Sequence, residues 1–186
     1  GRWTLSSQTV LLHEYAHHFM YQSWPNSVLP LWYSEGFAEF CGNVEFADDG
    51  KLILGMPPVY RAWSLGKAGA AALPARKLLK LNPGRMNAEQ MGALYARGWL
   101  LMHYLMMDKT RAGQLDRYIT AINDGTGADQ ASAAFGDPAR LDREMTDYIM
   151  QRRLNGFVIP ADRLKVGTVA IRPLTAGEAA TMAVRI

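Results

Sequence analysis

Apolar residues recur along this chain mostly at helical rather than alternating spacing, and the predicted elements follow from where that spacing starts and stops. Ser6 or Ser7 can cap a helix running to about residue 22, with Val10, Leu11, Ala16, Phe19 and Met20 as its apolar positions. Trp24-Pro25-Asn26-Ser27 breaks it, and a second helix follows Pro30, roughly Leu31–Gly42, with Gly42-Asn43 as its stop. Val44-Glu45-Phe46 and Leu52-Ile53-Leu54 flank Asp48-Asp49-Gly50 and read as a short hairpin. Beyond Pro57 the pattern is helical again. An Ala/Gly stretch over 66–73 reads as a loop or weak helix, and a short segment over 75–81 ends at Asn82-Pro83-Gly84. Asn87 can cap the segment leading into an apolar helix over 95–107, long enough and rich enough in Leu and Met to be central. An amphipathic helix over 111–123 follows, then one opened by Asp137-Pro138 and running to about residue 154. After Gly156 the texture changes, and residues 164–171 and 182–186 read as strands. The expected fold class is mainly α, of the α+β type, with a small β-hairpin and C-terminal strands. The expected division is a helical domain over 1–156 and a strand segment over 157–186.

Composition narrows the function more than the fold. A chain of 186 residues with 49% hydrophobic and 10% aromatic residues can bury a real core and is not a disordered polypeptide. No apolar run approaches the ~20 residues that span a bilayer, so no membrane-spanning segment is expected. The single cysteine, Cys41, excludes an intramolecular disulfide framework and any multi-cysteine metal site. A formal charge of +3 says little about partners. The basic residues Arg76, Lys77, Lys80 and Arg85 cluster without interleaved aromatics, which reads as a solvated face and not a nucleic-acid site. The chain opens at Gly1-Arg2-Trp3 without Met and enters a helix almost at once, so a fragment or processed chain is expected.

The chemistry is carried by His13-Glu14-Tyr15-Ala16-His17, which fits H-E-x-x-H. Residues at i and i+4 share a helical face with Cβ atoms roughly 6 Å apart, so both imidazoles can converge on one metal ion. Glu14 projects from the adjacent surface, where it can hold a metal-activated water and take its proton. A catalytic zinc takes three protein ligands and leaves a fourth position open. A third ligand is at hand in Trp32-Tyr33-Ser34-Glu35-Gly36-Phe37-Ala38-Glu39-Phe40. Glu35 lies far enough past His17 for one helix to end and a second to return beside it. Glu39 sits at i+4 from Glu35, on the same face. One of the two carboxylates can ligate the metal, and the other can accept the free ring N–H of a ligand histidine and fix its tautomer.

H-E-x-x-H followed by W-x-x-E-G-F-A resembles the gluzincin metallopeptidases, in particular the aminopeptidase N branch, with one residue less in the spacer. That branch carries a further Tyr-x-x-Gly at the start of an apolar helix, and Tyr95-Ala96-Arg97-Gly98 stands in the corresponding place. The resemblance covers about residues 7–105. It implies a zincin-like catalytic helical subdomain in which His13, His17 and Glu35 hold one Zn²⁺ and Glu14 is the general base. Tyr95 would donate to the oxyanion, Glu39 would match the acid that backs a ligand histidine in the thermolysin-like pattern, and the substrate would be a peptide or protein. The later part of the chain, around Phe135-Gly136 and Leu141-Asp142, also resembles a bacterial family of peptidase-like domains that are often exported and followed by helical repeats, which implies further domains of the same chain. The amine-recognition motif of aminopeptidases has no counterpart here, so exopeptidase activity is not implied. The same residues permit a zinc hydrolase of another substrate, or a catalytically inactive binding module built on the same core.

Other conspicuous residues read as structural. His18, at i+5 from His13, points away from the metal face. His103 reads as a satisfied core histidine, Cys41 as a small buried hydrophobe, and Met102, Met106 and Met107 as core filler. Arg152-Arg153 suit a helix C-terminus.

Overall fold

Ser6 opens the first helix, α1 (Ser7–Ser23): its Oγ accepts the Thr9 amide at 3.0 Å, satisfying one donor that the first turn leaves free. The computed structural model describes residues 5–82, 84–151, 153–165 and 167–185, the last five as backbone alone. Pro83 of the expected turn, Arg152 of the basic pair, and Val166 and Ile186 of the expected strands lie outside the described residues. α1 ends at Trp24, which precedes Pro25 and is steered out of the helical region. Helix α2 (Leu31–Gly42) begins after Pro30 and stops at Asn43, whose side-chain amide donates back to the Glu39 carbonyl at 2.7 Å. Strands β1 (Glu45–Phe46) and β2 (Leu52–Leu54) form the hairpin, with Phe46 opposite Leu52 and Gly50 supplying the positive φ its turn requires.

From there the chain returns to α2. The Gly55 amide donates to the Phe40 carbonyl and the Met56 amide to the Asn43 carbonyl, both at 2.9 Å. Gly55 sits at φ 78 with the Phe40 ring where a Cβ would be, so only glycine fits there. A 3₁₀ turn over Val59–Arg61 leads into the short helices α3 (Ala62–Leu65), α4 (Lys67–Ala72) and α5 (Ala75–Leu78). Helix α6 (Ala88–Met107) opens on a reciprocal capping box between Asn87 and Gln90. Helices α7 (Gln114–Asn123), α8 (Ala128–Ala131) and α9 (Pro138–Ile149) follow, the last with Asp137 as N-cap and Pro138 in its first turn. Strand β3 (Phe157–Ile159) pairs antiparallel with β2, with Val158 opposite Ile53, which completes the order β1-β2-β3. Helix α10 (Ala176–Arg185) ends the described chain. The molecule is thus mainly helical, of the expected α+β type, with a small antiparallel sheet.

Several boundaries differ from the expectation. The C-terminal strand is Phe157–Ile159, and the described residues of 164–171 have no regular structure. Residues 182–185 are helical, not extended, because Thr175 and Glu178 form a capping box: the Thr175 amide donates to Glu178 Oε2 at 2.9 Å and the Glu178 amide to Thr175 Oγ1 at 3.3 Å. α7 starts at Gln114 because Gly113 takes a φ of 72 ahead of it. α9 ends at Ile149 because its apolar stripe of Leu141, Met145 and Tyr148 runs out, leaving Met150 exposed. α5 is similarly shorter than the expected segment over 75–81.

α6 is the core's axis. Every residue from Ala93 to Leu105 is buried except Tyr95, and a helix enclosed on all sides is apolar over most of its surface. Trp32 and Phe40 of α2, Leu73, Leu78, Tyr118 and Leu141 pack in the same cluster. The buried cation Arg97 pairs with Asp142, which also accepts the Ala75 amide at 2.9 Å. Trp32 Nε1 donates to the Tyr118 hydroxyl at 3.2 Å, and that hydroxyl donates to the Leu79 carbonyl at 2.9 Å. α2 crosses α6 at a pair of glycines. A Cβ on Gly36 would collide with the Gly98 carbonyl, and one on Gly98 would lie 2.9 Å from the Trp32 carbonyl oxygen. This close approach sets Glu35 and Tyr95, each within one turn of the crossing, near enough for the Glu35 charge to act on the Tyr95 phenol.

Candidate metal centre

His13 and His17 stand on one face of α1, and Glu35 reaches them from α2, which packs alongside. Gly42 permits the approach: a Cβ there would lie 3.3 Å from the His13 Cβ and 3.1 Å from the Thr9 carbonyl oxygen. The Nε2 atoms of His13 and His17 are 3.2 Å apart, and Glu35 Oε2 lies 3.3 Å from the first and 3.4 Å from the second. These three atoms form a nearly equilateral triangle. A tetrahedral ion with nitrogen and oxygen ligands at about 2.0–2.1 Å separates its ligand atoms by about 3.3–3.4 Å, so the triangle has the edge length such an ion needs. Glu35 Oε2 is buried and accepts no hydrogen bond among the described residues. Three ligand-type atoms converging this closely suit a cation among them. His13, His17 and Glu35 are the group able to hold a metal ion among the described residues.

The electrostatics agree. Burial pushes the Glu35 carboxyl up, but the closeness of His13 and then His17 outweighs this and holds it down at about 2. His17 is raised, chiefly by the proximity of Glu35 and against the cost of burial. Glu14 is exposed beside the triangle, in a cleft of about 260 Å³ lined also by Leu5, Thr9, Val10, His13, Tyr60, Arg61 and Tyr95. The Tyr95 ring centroid is 6.0 Å from that of His13. Burial raises the Tyr95 phenol, Glu35 adds to this, and Arg61 opposes it, so the hydroxyl keeps its proton at neutral pH.

Glu39 is almost fully buried behind His13, its Oε1 3.6 Å from His13 Nδ1. Its other neighbours come from elements that sequence reasoning did not connect to the site. Arg61 Nη2 donates to Glu39 Oε1 at 2.6 Å, and the Tyr60 hydroxyl donates to Oε2 at 2.8 Å. Asn43 Nδ2 reaches Oε2 at 3.4 Å and the Tyr60 oxygen at 3.0 Å. The Arg61 guanidinium also lies over the Tyr95 ring, 4.5 Å from its centroid. Burial pushes the Tyr60 phenol up to about 12, with Glu39 adding to the shift. Burial works against the charge of Arg61, but Glu39 more than restores it.

The structure therefore brings His13, Glu14, His17, Glu35, Glu39 and Tyr95 to one place, and adds Tyr60 and Arg61. It leaves the other conspicuous residues outside. His18 is exposed against Tyr15. His103 is buried, its Nδ1 2.8 Å from the Tyr148 hydroxyl, and burial lowers it to about 4. Cys41 is partly and not fully buried, and burial pushes its thiol up to about 11. A larger recess of about 570 Å³ is lined by Arg76, Lys77, Lys80, Asp129, Ser132 and Pro138 and shares no residue with the centre. No helix among the described residues is long and apolar enough to cross a membrane. Comparison with protein-family models, curated proteins and solved structures finds no match to this chain.

Proposed function

We propose that this chain is a zinc-dependent hydrolase of peptide bonds. The observation that carries the reading is the triangle of His13 Nε2, His17 Nε2 and Glu35 Oε2, with edges of 3.2, 3.3 and 3.4 Å, beside a cleft that His13 shares with Glu14 and Tyr95. A zinc ion held there supplies a Lewis acid that polarises a carbonyl and makes water nucleophilic near neutral pH. Glu14, exposed in the cleft, takes the proton of the attacking water and returns it to the leaving nitrogen. Tyr95 is the one residue of the buried run of α6 that looks into the cleft. Its protonated hydroxyl serves as a fixed donor to the negative charge that develops on the carbonyl oxygen. Glu39 Oε1, 3.6 Å from His13 Nδ1, favours the tautomer with its proton on Nδ1, which leaves Nε2 with its lone pair for the metal. The resemblance of the two motifs to gluzincin peptidases supports a peptide as the substrate.

Metal analysis of the purified protein is the direct test. We expect about one zinc per chain, lost in His13→Ala or His17→Ala. Glu14→Gln should keep its zinc and lose hydrolysis of a peptide library by about 10²-fold or more. A Glu14→Gln protein that hydrolyses peptides as the parent does would end this mechanism.

A further inference from the structure

We infer that Arg61 is a positioning residue of the metal centre, acting through Glu39 to fix the orientation of His13. The inference rests on the zinc reading above. A carboxylate offers about four acceptor directions. Three of those of Glu39 are filled by Arg61 on Oε1, and by Tyr60 and Asn43 on Oε2. The remaining direction, on Oε1, faces His13 Nδ1 at 3.6 Å. Glu39 is 2% exposed and cannot turn to water for another partner. Its plane is therefore set by these donors, and the plane sets which His13 nitrogen carries the proton.

Arg61 stands apart from the other two donors. Asn43 continues directly from α2, so it follows Glu39 wherever that helix goes. Arg61 arrives with Tyr60 on a separate turn, led there by the two backbone bonds that return the chain from β2 to the end of α2. It brings the only full charge among the three, and a buried carboxylate is costly without a counter-charge. The same guanidinium lies over the Tyr95 ring, 4.5 Å from its centroid, so one cation braces both the carboxylate behind the metal and the phenol across the cleft. Lysine can supply the charge but not the flat face, so the two contributions can be separated.

The test measures metal binding and needs no substrate. Zinc affinity is determined by chelator competition for the parent protein and for Arg61→Gln, Arg61→Lys, Glu39→Gln and the Arg61→Gln/Glu39→Gln double variant. Visible spectra of the cobalt-loaded forms report the ligand geometry. Losing a group that orients a metal ligand weakens affinity by about 10–100-fold, and we expect about tenfold for Arg61→Gln with shifted cobalt bands. Arg61→Lys should recover most of that affinity. The double variant should bind no more weakly than the weaker single variant, because both changes break the same linkage. A parental affinity and spectrum in Arg61→Gln would overturn the role of Arg61 while leaving the zinc reading intact, and so would effects that add in the double variant. A parent protein that binds no zinc would overturn both. If Arg61→Gln fails to fold, as judged by circular dichroism, Arg61→Met replaces it under the same criteria.

Discussion

The helices that carry the metal centre are held in opposite ways. α2 and α6 cross at Gly36 and Gly98 with no room for a methyl group between them, and α6 is buried on every side around that crossing. α1, which carries His13, Glu14 and His17, is buried only along the line of Ala16 and Met20. Its outer surface leaves Leu11 68%, Tyr15 65% and Tyr21 61% exposed. Glu35 and Tyr95 therefore sit on a frame with no slack, and the two histidines on a helix tethered along one side. The difference explains why the centre needs a brace behind His13 on the tethered helix.

The most damaging way to break the enclosed side is a single methyl group. Gly36→Ala places a Cβ inside the Gly98 carbonyl, and backbone cannot give way as a flexible side chain would. We expect a loss of at least about 3 kcal/mol by urea unfolding, and zinc affinity falling with it as Glu35 moves off the triangle. The control lies on α6 itself. Gly92 is helical and a Cβ there would meet only Ser64 Oγ, at 3.6 Å. Gly92→Ala should raise stability by about 0.5–1 kcal/mol by lowering the entropy of the unfolded chain. Equal effects at the two glycines would show that the crossing is not the constraint.

Acid tests the same enclosure chemically. His103 is fully buried on α6 and titrates at about 4 when folded, against 6.5 for an ordinary imidazole. Above pH 6.5 both states are neutral and the residue contributes nothing to the pH dependence. As pH falls below 6.5, the unfolded chain takes up a proton that the folded protein refuses, so stability is lost down to about pH 4. At about 1.4 kcal/mol per pKa unit the full loss is about 3 kcal/mol. His103→Gln has no such titration. The stability of the zinc-free parent relative to this variant should fall by about that amount between pH 7 and pH 4. A constant difference would mean that His103 takes up its proton as readily in the fold as in the unfolded chain.

How much of this was readable beforehand follows from sequence distance. α2 is found to the residue because Pro30 and Gly42 mark both ends, and His13 and His17 meet because i,i+4 spacing is a local property of any helix. Glu35 and Glu39 are legible for the same reason. Arg61 and Tyr60 are not, since they reach Glu39 only by way of a hairpin that returns through Gly55 and Met56, and no periodicity announces such a path. β3 is hidden for a related reason: its three residues pair with a strand about a hundred residues earlier, which propensity cannot foresee. α10 is a different case. Its Thr175-x-x-Glu178 capping box is written in the sequence, but reading residues 182–186 by their apolar and branched side chains favours a strand. Local hydrogen-bonding signals outrank side-chain preference there.

The tethered side of the comparison is sharpened by the smallest effect, on α1 alone. Met20 has no exposure and joins α1 to the rest of the molecule, whereas Leu11 on the same helix is 68% exposed. Met20→Ala removes buried methylenes and leaves a cavity, for a loss of about 2 kcal/mol, near the low end for such a change because a one-sided helix can settle inward. Leu11→Lys removes little contact with the described residues and should change stability by no more than about 0.5 kcal/mol. Zinc affinity separates the two again. It should fall in Met20→Ala, where α1 shifts relative to α2 and the triangle opens, and stay at the parental value in Leu11→Lys. If Leu11→Lys instead weakens zinc binding or stability as much as Met20→Ala does, the outer face of α1 is packed against something in solution, and the helix is held on both sides after all.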